Sequence, residues 1–268
     1  MRAEALLQTL QKFNNLNLSA IINFDKFNNY TIVHHSTSIE GSTLTLIETQ
    51  LLIEEQITPK GKPILHSLMV QNHFEALQFI IENAKQKTPI SLNFIQQVNA
   101  KIMRQTGNVY QTVFGEVDAS KGMIRKGNVT AGSTYFVNFS KVENLLNNLV
   151  IKINESLLKP LTLLDQINLC FDFHFDIVTI HPFDDGNGRT SRLLMNYLQA
   201  YFNLPMSIVF LEDKIDYYNA LGSTRKEEYL EIFRNFMQAQ YHKYLQLEID
   251  KFEAINKPAG SKGYSLVF

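Results

Sequence analysis

The chain has 268 residues, of which 45% are hydrophobic and 19% charged, with a net charge of −1. That length can bury a sizeable core in one or two domains, and the balanced charge without a dense basic run excludes nucleic acid as the expected partner. The one cysteine, Cys170, rules out an intrachain disulfide; with no 18-residue apolar run and no signal-peptide pattern at the start, the expectation is a cytoplasmic protein with no membrane partner.

Helical periodicity dominates and predicts an all-α protein. Leu6, Leu7, Leu10 and Phe13 mark an opening amphipathic helix, and Phe13-Asn14-Asn15 and Phe27-Asn28-Asn29 read as turns. An acidic helix follows from Ile47 to about Ile57. Leu68 to Glu82 reads as a helix with Val70, Phe74, Leu77 and Ile80 or Ile81 inward, and Ser91 to Arg104 as another. Between Gly122 and Gly132, short β-capable pieces flank Gly127-Asn128, a turn-type pair, which predicts a hairpin. Helices are then expected over Val142 to Leu158 and Leu161 to Ile180. The second carries Leu164, Ile167, Leu169, Phe171, Phe175, Ile177 and Val178 at helical spacing, with Cys170 on its apolar side. Pro182 disfavours helical geometry at His181, so that helix should stop there. A further helix is expected from near Gly188 to about Tyr201, with Asn187 as its N-cap. Asp213 to Leu221 and a long helix from about Thr224 to Ile255 complete the set, and Pro258-Ala259-Gly260-Ser261 opens a loose tail.

The junction His181-Pro182-Phe183-Asp184-Asp185-Gly186-Asn187-Gly188-Arg189-Thr190-Ser191-Arg192 concentrates chemistry. A helix N-terminus presents unpaired N–H groups and a positive dipole end. Gly186 and Gly188 let the backbone approach a ligand closely, so the expected product is an anion nest suited to a diphosphate. Arg189 and Arg192, three residues apart, share a helix face and can grip phosphates beyond the nest. Asp185 is a hard oxygen ligand, and one carboxylate plus substrate phosphates is the usual way Mg²⁺ is held. His181 can take a proton from a hydroxyl near neutral pH, and Phe183 reads as a buried anchor for the loop. An ordinary connector has no need of all these parts in one register. The remaining histidines show no metal-ligand spacing, and His174 reads as structural.

The segment HPFDDGNGRTSR resembles the Fic signature HPFx(D/E)GNGRxxR at every fixed position, and the resemblance extends over roughly Tyr30 to Gln240. It implies a Fic-type helical bundle with a small β-hairpin flap beside the active site, and transfer of AMP from ATP and Mg²⁺ to a Ser, Thr or Tyr hydroxyl of a target protein. In that resemblance His181 is the general base and Asp185 the Mg²⁺ ligand. Gly186, Asn187 and Gly188 hold the α-phosphate region, Arg189 faces the β-phosphate and Arg192 the γ-phosphate. Upstream, Ser36-Thr37-Ser38-Ile39-Glu40-Gly41 resembles the family's inhibitory motif (S/T)xxxE(G/N); Ser36, Glu40 and Gly41 then form a brake in cis, with Glu40 pairing Arg192. Lys126, Gly127, Asn128 and Val129 resemble the flap that pins a target segment by strand addition, with Val129 as the apolar clamp. Tyr217 and Tyr218 resemble the YYxAL segment near the adenine pocket; two helix-borne tyrosines also read as packing residues.

The organisation expected is an N-terminal helical region over 1–95, a Fic core over 96–240 and a C-terminal helix end and tail over 241–268. Self-modification and a homo-oligomer that locks the Glu40 segment are further expectations. Two other functions stay open: hydrolytic removal of AMP from a modified protein with Glu40 aligning a water, and a catalytically silent nucleotide-binding module.

Overall fold

A computed structural model describes residues 2–18, 24–132 and 134–256. Among them are ten helices: α1 (Arg2–Asn15), α2 (Phe24–Ile39), α3 (Leu46–Glu55), α4 (Ile64–Lys85), α5 (Leu92–Met103), α6 (Phe139–Leu157), α7 (Leu163–Ile180), α8 (Asn187–Tyr201), α9 (Lys214–Glu227) and α10 (Glu231–Asn256). Two small antiparallel hairpins lie between α5 and α6: β1 (Val109–Thr112) with β2 (Gly115–Asp118), and β3 (Thr130–Ala131) with β4 (Thr134–Tyr135). The fold is all-α, as expected, with two small hairpins where one was predicted. None of the described helices is long and apolar enough to cross a membrane.

The centre of the bundle is α8. Apart from Gly188, every residue from Asn187 to Gln199 is buried, because α7, α4 and α5 pack around it. A helix covered on all sides is normally apolar throughout. This one carries Asn196 and Gln199, which are satisfied internally: Asn196 donates to the Ser207 carbonyl at 3.0 Å and Gln199 to the Ser207 hydroxyl at 2.7 Å. Outside this centre, α1 packs on α10, α2 on α3 and α4, and α6 on α7. Local sequence fixes several helix starts. Thr45 with Glu48 and Thr162 with Asp165 form reciprocal capping boxes, and the Ser91 hydroxyl accepts from Phe94 N.

Several expectations need correction. Phe27-Asn28-Asn29 is not a turn but lies inside α2; burial of Tyr30, Ile32 and Val33 outweighs the weak helix preference of asparagine, and Asn28 accepts from the Tyr244 hydroxyl at 2.8 Å. The expected helix from Thr224 to Ile255 is two helices, since Glu228 adopts φ 52° and breaks the chain direction before α10. Asn187 is the first residue of α8, and the N-cap is Gly186 at φ 78°. Gly127-Asn128 is not the hairpin turn: pairing joins Thr130 to Tyr135 and Ala131 to Thr134, so the strands lie further along and Gly132, at φ 56°, leads out of β3. The hairpin of β1 and β2 was not expected, because four-residue strands carry too little alternation to read. The segment opening at Pro258 lies outside the described residues.

Candidate active site

The loop joining α7 to α8 is set by its two ends. His181 caps α7 in the left-handed conformation at φ 53°, while its N–H still bonds the Ile177 carbonyl at 2.9 Å. Phe183 is buried beneath the loop, as expected for an anchor. Asn187 clasps the loop shut: its Oδ1 accepts from Phe183 N at 3.0 Å and its Nδ2 donates to Phe183 O at 2.8 Å. From α5, Asn99 Nδ2 donates to the Asp185 carbonyl and the Thr190 hydroxyl, both at 3.1 Å. A Cβ on Gly186 would press on Met103 and Asn99, so glycine there reflects both its φ and its packing.

The His181 ring stacks on Phe136, just after β4, with centroids 3.7 Å apart and planes 16° from parallel. Its Nδ1 lies 3.4 Å from the Val178 carbonyl. A carbonyl can only accept, so the proton sits on Nδ1 and Nε2 is left as the acceptor. Burial, then the nearby cations Arg125 and Arg225, push the imidazole down to about 4. The ring is therefore neutral at pH 7, with Nε2 free to accept.

Arg189 and Arg192 are both buried on the first turns of α8. Arg189 reaches Asp185 Oδ1 at 3.5 Å, yet its Nε and Nη1 have no hydrogen-bond partner among the described residues, and neither has Arg192 Nη1. Buried donors without partners are rare and costly, and a bound anion at the N-terminus of α8 would satisfy them. Asp185 keeps its side chain 51% exposed. No group of three or more His, Cys, Asp or Glu side chains suited to a metal exists among the described residues. The donor set therefore fits a cation shared between one carboxylate and bound phosphates, and not a cage built by the protein alone.

Glu40 follows the last residue of α2, and its Oε1 lies 2.7 Å from Arg192 Nη2. The same guanidinium donates to the Ser36 hydroxyl at 2.9 Å and the Ser36 carbonyl at 2.8 Å. Gly41, at φ 102°, then turns the chain away. A Cβ placed on Gly188 would run into Glu40 Oε1. The carboxylate thus sits over the glycine at the start of α8, in the position an anionic ligand would take. Burial acts to raise the Glu40 carboxyl, but the Arg192 charge and hydrogen bond outweigh it and hold it below the ordinary carboxylate value.

The four flap residues do different things. Lys126 Nζ donates to the Glu116 carbonyl at 3.2 Å, tying the two hairpins together. Gly127 offers its carbonyl to Arg125, and Asn128 Oδ1 accepts from Phe139 N at 3.0 Å, next to the start of α6. Val129 is half-buried and accepts from Phe136 N at 3.4 Å, extending the ladder of β3 and β4. Since β3 pairs with β4 alone among the described strands, its other edge is open. The two tyrosines separate. Tyr217 is 1% exposed, its hydroxyl lies 2.8 Å from His174 Nε2 and close to Arg192, so it packs behind the arginine and not over it as an open ring; His174 is buried with it. Tyr218 is 46% exposed, with Tyr217 beside its ring and Lys214 Nζ 5.9 Å from its centroid.

Asn99 and Arg125 hold the site together without standing out in the chain. Asn99 had a readable signal: it falls among Ile95, Val98, Ile102 and Met103 on the apolar face of α5, where an unpaired amide would be costly. Arg125 had none, since its partners are backbone carbonyls in three different segments.

Residues 89–199 match the model of the Fic/DOC family. Over that segment the chain is similar to a Fic/DOC domain. The matched segment takes in α5 to α7, nearly all of α8, the hairpins and the whole loop, while α2, Glu40 and α9 with the tyrosines lie outside it. Two curated relatives are the protein adenylyltransferase Fic of Nematostella vectensis, 29% identical over 71% of this chain and 42% of that protein, and the protein adenylyltransferase fic-1 of Caenorhabditis elegans, 31% identical over 72% of this chain and 36% of that protein. The chain thus spans less than half the length of these relatives. A Fic domain containing signaling protein from Bacteroides thetaiotaomicron shares the fold, with a TM-score of 0.80 at 22% identity over 98% of this chain and 100% of that one.

Proposed function

We propose that this chain is a protein adenylyltransferase that moves AMP from ATP to a Ser, Thr or Tyr hydroxyl of a target protein, and that Glu40 restrains it in cis. The observation that carries this is the pairing of a neutral, stacked His181 with buried arginine donors that lack partners at the start of α8. The names of the relatives agree with it. In this reading His181 Nε2 takes the proton of the target hydroxyl. The freed oxygen attacks the α-phosphorus in line, the bond to the bridging oxygen breaks, and pyrophosphate leaves. The loop amides from Gly186 to Gly188 hold the α-phosphate region, with Asn187 keeping the loop closed. Arg189 and Arg192 take the outer phosphates, and Tyr218 offers a ring for the base. When bound, Mg²⁺ shared by Asp185 and the phosphates supplies charge neutralisation. The target backbone adds to the open edge of β3, with Val129 as the clamp. The division of labour is then a brake in residues 1–95, a catalytic core in 96–240 and the end of the last helix in 241–268. Self-modification is expected when no target is present.

Intact-protein mass spectrometry after incubation with ATP and Mg²⁺ tests this on wild type, Glu40→Gly, and Glu40→Gly with His181→Ala. An added AMP on Glu40→Gly alone is the expected result. Absence of AMP on all three, together with release of AMP from a modified protein only when Glu40 is intact, would replace transfer by removal.

A further inference from the structure

One buried cation joins three segments that the chemistry above treats separately. Arg125 is 1% exposed. Its Nε donates to the carbonyl of His181 at 2.8 Å, its Nη1 to the carbonyl of Gly127 at 2.7 Å and its Nη2 to the carbonyl of Val137 at 2.5 Å. Its own N–H bonds the carbonyl of Pro182 at 3.0 Å. Gly127 precedes β3 and Val137 follows β4, so the guanidinium closes the base of the flap and ties it to the peptide of the general base. A second connection runs through the rings. Phe136, adjacent to Val137, stacks on the His181 imidazole, and the Arg225 guanidinium lies 5.5 Å from the Phe136 centroid while bonding the Val178 carbonyl and the Thr179 hydroxyl. The flap base cannot shift without moving either the backbone that carries His181 or the ring that packs on it.

We propose that Arg125 is a positioning residue that couples the seating of the flap to the orientation of the His181 imidazole. A planar fork is needed because three carbonyls must be met at once in fixed directions; an ammonium group is a point charge without that geometry. The consequence is that a target strand added to β3 also sets the base, since both hang from one guanidinium. This rests on the transferase reading for its meaning, but the coupling itself can be read without turnover.

The experiment builds Arg125→Met and Arg125→Lys on the Glu40→Gly parent. Two readouts are taken: the ring-nitrogen NMR signature of His181 at neutral pH, and the rate of AMP incorporation into the chain itself from labelled ATP. In the parent, His181 should show one Nδ1-protonated form. In Arg125→Met it should become a mixture of tautomers, with kcat falling roughly ten- to a hundredfold and the KM for ATP little changed, because Arg125 touches no phosphate-binding group. Arg125→Lys, which keeps the charge and loses the fork, should recover less than half of the loss. An unchanged ring signature in Arg125→Met, or a raised KM for ATP with kcat intact, overturns the proposal. If Arg125→Met does not fold, the same two criteria are read on Arg125→Lys. Absence of labelling in the parent itself would count against the transferase reading, while the ring signature would still decide the coupling.

Discussion

Removing Glu40 changes stability and the phosphate site together, and the size of each effect can be worked out. Arg192 loses a partner at 2.7 Å and keeps the hydroxyl and carbonyl of Ser36. Breaking a fully buried pair costs about 3–5 kcal/mol, and an exposed pair less than about 1 kcal/mol. With Arg192 buried but the Glu40 side chain 28% exposed, and the Ser36 acceptors left, the cost lies between, near 2 kcal/mol. For a chain of this size that lowers the melting temperature by about 4 °C. Glu40→Gln, which keeps the shape and an acceptor, should lose roughly half as much. In return the guanidinium is free for the third phosphate. Hydrogen bonds to charged groups contribute about 1.5–3 kcal/mol, so Glu40→Gly should gain on the order of ten- to a hundredfold in ATP-dependent transfer. The direct assay is thermal denaturation with Mg²⁺ and either ATP or ADP. The variant should melt earlier than wild type when no nucleotide is present, and ATP should stabilise it more than ADP does. If wild type and Glu40→Gly melt together, or if ATP shows no advantage over ADP in the variant, the pairing of Glu40 with Arg192 does not govern the phosphate site. The carboxyl of Glu40 is held below its usual value, so the pair is complete at neutral pH and is lost only as pH falls through that depressed value; mild acid should not release the brake.

Three further outcomes follow from the geometry. The pH–rate profile of Glu40→Gly should stay level from neutrality down past the ordinary imidazole range and fall only near pH 4, where His181 gains a proton and can no longer accept one; an acid limb at about 6.5 would contradict this. Asn99→Ala strands the Asp185 carbonyl and the Thr190 hydroxyl inside the protein and should lower stability by about 1–3 kcal/mol in urea denaturation, with no loss of slope. Asp185→Asn should leave the fold intact and raise the Mg²⁺ concentration needed for half-maximal labelling of Glu40→Gly; an unchanged Mg²⁺ requirement would remove Asp185 as the metal ligand.

The sequence alone determined the helical class, most helix positions, and the loop with its base, carboxylate, glycines and arginines, because each rests on local signals: apolar spacing, caps, and a proline and glycines at fixed offsets. Ser36, Glu40 and Gly41 stood out only through the family resemblance, and it is the fold that brings Ser36 and Glu40 to one guanidinium. What the sequence could not carry was decided at long range. The helix through Phe27-Asn28-Asn29 is held by packing against α4 and a hydrogen bond from α10. The break at Glu228 and the shift of the flap turn to Gly132 depend on backbone conformations that no periodicity encodes. Tyr217 and Tyr218 are neighbours of one residue type, yet one is enclosed against His174 and the other faces solvent, because consecutive helix positions point about 100° apart. Arg125 is the sharpest case: its three acceptors are carbonyls, every residue has one, and only the folded chain brings those three to a single guanidinium.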